Sequence, residues 1–331
     1  MKRALFARLS MTLASLAVGV LMTTLAATSV SAQQYPASPI RIVVGFGAGS
    51  TADTLARLLS RHMETKLGQP VIVENRPGNS SMLAAETVAR APKDGYTFFM
   101  ATVANTLNPA QTGSGFDLAK EMAPVALLGV VPNVLVAHPS IPAKNVKDLI
   151  VIAKSKPDTL TFGTSGAGTA SHLAAELFNA KAGTKIVAVH YQGGANQGVP
   201  DLLSGRITLM FNVAAALAPH AAAGKVVPLA VGQPKRASIM PNVPTMDEAG
   251  MPGFDVGIWI GLLAPAGTPA EIVDKVSAVA NEGLKTEAVM TAMRTQGIDP
   301  IGGTPKEFEA FIRADIKKWD SILETTGLKK K

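Results

Sequence analysis

The segment Ile40 to Arg57 constrains this chain more than any other. A β-branched apolar run, Ile40 to Val44, meets Gly45, Gly47 and Gly49, after which Ser50-Thr51-Ala52-Asp53 opens an amphipathic run. The order reads as strand, loop, helix. Glycine tolerates positive φ and close backbone approach, and the first amides of a helix are unpaired donors at the positive end of its dipole. Such a turn can hold an anion. The helix places Leu55, Leu58, Leu59, Met63 and Leu67 on one face and stops at Gly68. The pattern returns at Gly163-Thr164-Ser165-Gly166-Ala167-Gly168-Thr169-Ala170-Ser171-His172, which joins a strand, Leu160 to Phe162, to a helical run, Leu173 to Ala182.

Around these two turns, strands alternate with helices. Pro70 to Glu74 reads as a buried strand with its turn at Asn75-Arg76-Pro77-Gly78, Ser80 to Ala91 as a helix, and Tyr96 to Ala101 as a strand. A shorter helix starts near Thr102; Val125 to Leu128 and Val134 to Ala137 are strands, and Val146 to Lys154 is a helix. After the second turn come the βα pairs Ile186 to Val189 with Val199 to Ser204, and Ile207 to Phe211 with Ala214 to Ala223, then the strand Val226 to Val231. Pro241 to Gly253 is punctuated by prolines and suits a domain edge. Val256 to Ala264 is a further strand, and helices fill most of Glu271 to Leu284, Glu287 to Gln296 and Pro305 to Leu323. Alternation at this spacing predicts an α/β fold with mostly parallel sheets and flanking helices.

The N-terminus sets the expected compartment. Lys2, Arg3 and Arg8 precede an uncharged run from Leu9 to about Val30, and Val30-Ser31-Ala32 is a small-residue processing site. Residues 1–32 therefore read as a secretory signal peptide cleaved after Ala32. No second apolar run reaches the ~18 residues needed to span a membrane. There is no cysteine, which excludes disulfides, thiolate metal sites and cysteine nucleophiles. The leader carries three basic and no acidic residues, so its removal lowers the formal charge from +7 to +4. The excess is spread along the chain without a basic block interleaved with aromatics, which argues against nucleic acid.

Several chemistries compete for the glycine turns. Gly45-Phe46-Gly47-Ala48-Gly49-Ser50 fits G-x-G-x-G but has serine where the third glycine of a dinucleotide fingerprint belongs. Ser165 invites a serine-hydrolase reading, yet Gly163 to Ala167 lacks the last glycine of G-x-S-x-G. The histidines His62, His138, His172, His190 and His220 show no paired metal-ligand spacing. Binding through backbone donors remains the strongest reading. Neither cradle contains lysine or arginine, so amides, hydroxyls and dipoles would hold the anion. Two cradles across a cleft can grip both ends of a dicarboxylate, with closure shielding the bonds from water.

The chain resembles the periplasmic solute-binding proteins of tripartite tricarboxylate transporters, the Bug or TctC-like receptors. The residues that carry the resemblance run along the whole mature chain: Tyr35-Pro36 with Pro39-Ile40-Arg41, Gly68-Gln69-Pro70-Val71 with Val73-Glu74-Asn75-Arg76-Pro77-Gly78, and Asp94-Gly95-Tyr96-Thr97. They continue with Ser171-His172-Leu173-Ala174, Glu176-Leu177-Phe178, Pro241-Asn242-Val243-Pro244-Thr245, and Gly261-Leu262-Leu263-Ala264-Pro265-Ala266-Gly267-Thr268-Pro269. The resemblance implies a two-domain Venus flytrap of the type II periplasmic-binding class, with domain 1 at 33–136 plus 257–331, domain 2 at 137–256, and crossings near Ala137 and Val256. By position it nominates Phe46, Ala48, Gly49, Ser50, Asp53, Thr102 and Asn105 in domain 1. In domain 2 it nominates Ser165, Gly168, Thr169, Ser171, His172, Gln192, Gly193 and Asn212.

The implied function is a monomeric periplasmic receptor, without cofactor or metal, that delivers a small carboxylate to membrane transporter subunits. A ligand sensor feeding a signalling partner and a secreted hydrolase using Ser165 are the alternatives. Two departures from the family pattern bear on the ligand. The first loop commonly reads Phe-x-Pro-Gly-Gly, whereas this chain has Ala48 at the proline position and Ser50 after Gly49. Asn212 stands where many relatives have aspartate. Losing that carboxylate disfavours an ammonium-bearing ligand, because a buried ammonium needs a charged partner, so the expected ligand is a non-amino mono- or dicarboxylate, aliphatic or aromatic.

Overall fold

The computed structural model describes residues 35–157, 159–191 and 195–329. The expected signal peptide and cleavage site, and the candidates Gln192 and Gly193, lie outside them. In chain order, β1 (Ile40–Val44) leads to α1 (Thr51–Leu67), β2 (Val71–Asn75) to α2 (Met82–Ala89), and β3 (Thr97–Thr102) to α3 (Ala104–Thr112). Then come α4 (Leu118–Glu121), β4 (Met122–Val131) and β5 (Asn133–Ala137). Next are α5 (Val146–Ser155), β6 (Thr161–Thr164), α6 (Ala170–Ala182), β7 (Val187–His190), α7 (Val199–Leu203), β8 (Leu209–Val213), α8 (Ala214–Ala222) and β9 (Val227–Val231). The chain closes with β10 (Ile258–Pro265), α9 (Ala270–Leu284), α10 (Glu287–Thr295), β11 (Asp299–Pro300) and α11 (Pro305–Thr326).

Helix starts follow from capping chemistry. Ser50 caps α1 through its hydroxyl, which accepts from the Asp53 amide, and Gly68 ends that helix at φ 70°. Thr169 caps α6 in the same way, accepting from the His172 amide, so α6 begins at Ala170, ahead of the expected Leu173. α2 begins at Met82, later than the expected Ser80, because Asn79, Ser80 and Ser81 all adopt positive φ and cannot extend a right-handed helix. The anticipated α1 face buries Leu55, Leu59, Met63 and Leu67, while Leu58 is half-buried.

Two sheets result, ordered β11-β4-β10-β3-β1-β2 and β7-β6-β8-β5-β9. Both are mixed. The βα strands pair in parallel, β1 with β2 and β3, and β6 with β7 and β8. β10 runs antiparallel to β3 and β4, and β5 antiparallel to β8 and β9. These two antiparallel strands are the ones that enter each sheet from the other. β2 is a sheet edge with Ile72 56% exposed, so the expectation of a buried strand there is corrected. The short α4 and β11 carry too few residues to show a period and were not foreseen.

The chain changes sheet at Pro132, between β4 and β5, and returns between β9 and β10. Residues 133–136, assigned above to domain 1, therefore pair in the second sheet. The two passages are stapled to each other: Asn133 Nδ2 donates to the Val256 carbonyl at 3.0 Å, and the Gly232 amide donates to the Asn133 carbonyl at 2.8 Å. Aromatic contacts fill the interior on each side. Phe162 meets Phe178 and Phe211 at 5.6 and 5.5 Å, and Trp259 meets Phe308 at 5.7 Å. Such pairs contribute ~0.5–1.5 kcal/mol each beyond their area burial.

The buried carboxylate of Asp315 on α11 ties the first half together. It accepts from the Trp259 indole at 2.7 Å and the Thr106 hydroxyl at 2.6 Å, and pairs with Lys318 at 2.7 Å. Burial opposes charge on Lys318, but Asp315 and Asp255 together outweigh it and hold the ammonium above its ordinary value.

Candidate functional site

The first cradle is ordered from within. Asp53 is buried, and its carboxylate accepts from the Gly49 amide at 2.9 Å, from Arg57 Nε at 3.0 Å and from Asn75 Nδ2 at 2.8 Å. Asn75 Nδ2 also donates to the Phe46 carbonyl at 3.0 Å. Burial favours the neutral acid, but the bonds from Arg57, Gly49 and Asn75 prevail and hold the Asp53 carboxyl below its ordinary range. Asp53 thus acts as the loop's internal anchor. Phe46 is half-buried, while Ala48 and Gly49 are exposed. Among the described residues, the amides of Ala48, Thr51 and Ala52 have no acceptor. With the amides of Phe46 and Gly47, which likewise have no acceptor among the described residues, they are donors this cradle can offer.

The second cradle is built from hydroxyls. The Ser165 amide donates to Ser171 Oγ at 2.9 Å, the two serine hydroxyls meet at 2.8 Å, and Thr169 Oγ1 lies 3.3 Å from Ser171 Oγ while donating to the Gly166 carbonyl at 2.7 Å. This chain of hydroxyls can reverse at its Ser165 end, which turns a proton outward toward an anion. The Gly168 amide donates to His172 Nδ1 at 3.0 Å, so that nitrogen is an acceptor and the imidazole is neutral, with its proton on Nε2. Burial first, and the His190 ring packed edge-on at 4.8 Å second, hold His172 below its ordinary value.

Thr102 and Asn105 sit where β3 passes into α3. Asn105 Oδ1 accepts from the Thr102 amide at 3.0 Å and Thr102 Oγ1 from the Ala104 amide at 3.3 Å. At the other end of α3, Gln111 Nε2 donates to the Gly168 carbonyl at 2.7 Å. One helix of the first half thereby carries Asn105 in its first turn, just after Thr102 at the end of β3, and grips the second cradle at its end. Gly168 suits this contact twice over: its φ is 75°, and a Cβ there would come 2.9 Å from Gln111 Nε2. Asn212 is buried, with Nδ2 donating to Asn196 Oδ1 at 2.9 Å and Oδ1 accepting from the Val213 amide at 2.8 Å.

Sequence reasoning missed Gln111 and Asn75, since nothing in a glycine and hydroxyl pattern points to an amide side chain on a neighbouring element. It also missed His190, whose Nδ1 pairs with the Thr164 hydroxyl at 2.7 Å. The hydrolase reading fails on these partners. Ser165 is bonded to Ser171, while His172 and His190 are engaged by Gly168 and Thr164.

The sequence profile of the tripartite tricarboxylate transporter family receptors matches residues 55–328. This chain belongs to that family. The family's matched span takes in the second cradle and begins just after the first. Protein BugT of Bordetella pertussis is 33% identical over 92% of this chain and 94% of its own length. Among solved structures, R. palustris Rpa4515 with adipate is 35% identical at a TM-score of 0.74, covering 88% of this chain and 98% of that one. MatC from Rhodopseudomonas palustris with bound malate is 30% identical at a TM-score of 0.71, covering 87% and 100%. The fold is that of the periplasmic binding proteins, and the chain is a solute-binding receptor of this family, not an enzyme.

Proposed function

We propose that this receptor is exported to the periplasm, captures a non-amino mono- or dicarboxylate between two lobes, and as a monomer presents it to the membrane subunits of a tripartite tricarboxylate-type transporter. The lobes correspond to the two sheets, joined by the passages at Pro132 and between Val231 and Ile258. The Gln111 to Gly168 bond carries this reading, because it attaches the second cradle to α3, the helix that carries Asn105 in its first turn and follows Thr102 at the end of β3. Phe46, Ala48, Gly49, Ser50, Thr102, Asn105, Ser165, Thr169, Ser171 and the loop with Gln192 and Gly193 would surround the ligand, with Asp53, Gly168, His172 and Asn212 ordering the loops. Relatives with adipate and malate support a carboxylate. Asn212 is a neutral amide engaged by Asn196, which leaves an ammonium without a counter-charge there.

A thermal-shift screen tests the proposal. Adipate, malate and benzoate are compared with amino acids, since a ligand at ~100 times its Kd adds ~2.7 kcal/mol to native stability. Stabilisation by one or more of the simple acids is expected. Stabilisation by amino acids alone would contradict the ligand class.

A further inference from the structure

The turn after β2 was not nominated, yet it holds every non-glycine residue at positive φ among the described residues. Asn79, Ser80 and Ser81 have φ of 45°, 50° and 74°, three successive non-glycine residues in the left-handed region. Strain of this kind persists where surrounding structure over-determines it and concentrates at ligand sites. Ser81 is the N-cap of α2 but its hydroxyl makes no capping bond. The side chain is 1% exposed, and its Oγ has no hydrogen-bond partner. A buried unpaired hydroxyl is a cost that native proteins retain for a reason.

Its position supplies one. A Cβ added to Gly45 would lie 1.9 Å from Ser81 Oγ, so the hydroxyl occupies space that only glycine at the start of the first cradle leaves open. The next residue, Met82, offers Asn105 Nδ2 only its sulfur, at 3.8 Å, although Asn105 is fully buried. Because β3, β1 and β2 are neighbours in the sheet, their three following turns bring Gly45, Ser81 and Asn105 together.

We propose that Ser81 is a specificity-determining ligand contact, its hydroxyl donating to a carboxylate oxygen of the solute in the first cradle, with the under-used Asn105 amide beside it. This deepens the carboxylate-receptor reading and rests on it. The arrangement recognises a carboxylate without a cationic side chain: neutral donors, a helix N-terminus and exclusion of water take the place of arginine.

The test uses the signal-free mature protein, with adipate and malate as probes in calorimetry and the unliganded melting temperature measured in parallel. Ser81→Ala removes an unpaired hydroxyl, so the unliganded variant melts no lower than wild type while its affinity for the acid that wild type binds falls ~10-fold or more. Ser81→Gly relieves the positive φ, folds at least as well, and shows the same loss. Wild-type affinity in both variants would overturn the proposal, as would an unliganded Ser81→Gly protein that melts below wild type, because the hydroxyl would then have a structural partner. A wild-type protein that binds neither acid nor any other simple carboxylate would remove the receptor reading itself, and the subsite with it.

Discussion

His172 works through a nitrogen that carries no proton. Its Nδ1 accepts the Gly168 amide, so protonating the ring would replace an acceptor with a second donor facing the same N–H. Burial and His190 oppose that protonation, and Glu176 lies 3.7 Å from Nε2. An unfolded chain takes up the proton near ~6.5, whereas the folded ring does so only at lower pH. The unfolded state therefore binds more protons in that range, and the folded protein loses stability as pH falls through it and keeps it above. His172→Asn offers Gly168 an acceptor that does not titrate. Its melting temperature should fall less than that of wild type between about pH 7.5 and about pH 5.5, and equal losses would contradict this role. His172 was legible in the sequence as a residue at a helix start; its tautomer was not, because that depends on a φ of 75° at Gly168 and on His190 arriving from another strand.

At the scale of elements, the cradles were readable because capping is local. Ser50 with Asp53 and Thr169 with His172 are three residues apart, and both pairs place a hydroxyl on the N3 amide as expected of a helix start. β2 was misread as buried because an apolar run of this length does not distinguish a central strand from an edge. α3 shows the other limit of local reading: its start was foreseen and the reach of Gln111 to Gly168, 57 residues on, was not. A neutral hydrogen bond contributes ~0.5–1.5 kcal/mol, so Gln111→Ala should speed dissociation of the bound acid ~2- to 10-fold while leaving the unliganded fold intact. Stopped-flow dissociation of whichever panel acid binds reads this directly. An unchanged rate would mean that the bond has no part in holding the cradles together.

For the molecule as a whole, the chain crosses between the sheets at two passages, and these are stapled by Asn133 and Gly232, while α11 of the first half also packs on α6 of the second. Around them the Lys318 ammonium bridges Asp315 on the same helix and Asp255 in the returning passage, and Ser238 bonds Asp299 across the two sheets' segments. Movement of one half against the other would bend the few residues of these passages and make or break the Gln111 contact, the arrangement expected of hinge closure around a ligand. The architecture was legible from the alternation of strands and helices. The mixed sheets were not, because strand direction is set by which sheet a strand enters. Small-angle scattering of residues 33–331, with and without a saturating carboxylate that stabilises them, tests the central claim most directly: the radius of gyration should fall on binding as the cradles close, and an unchanged profile with a ligand shown to be bound would contradict it.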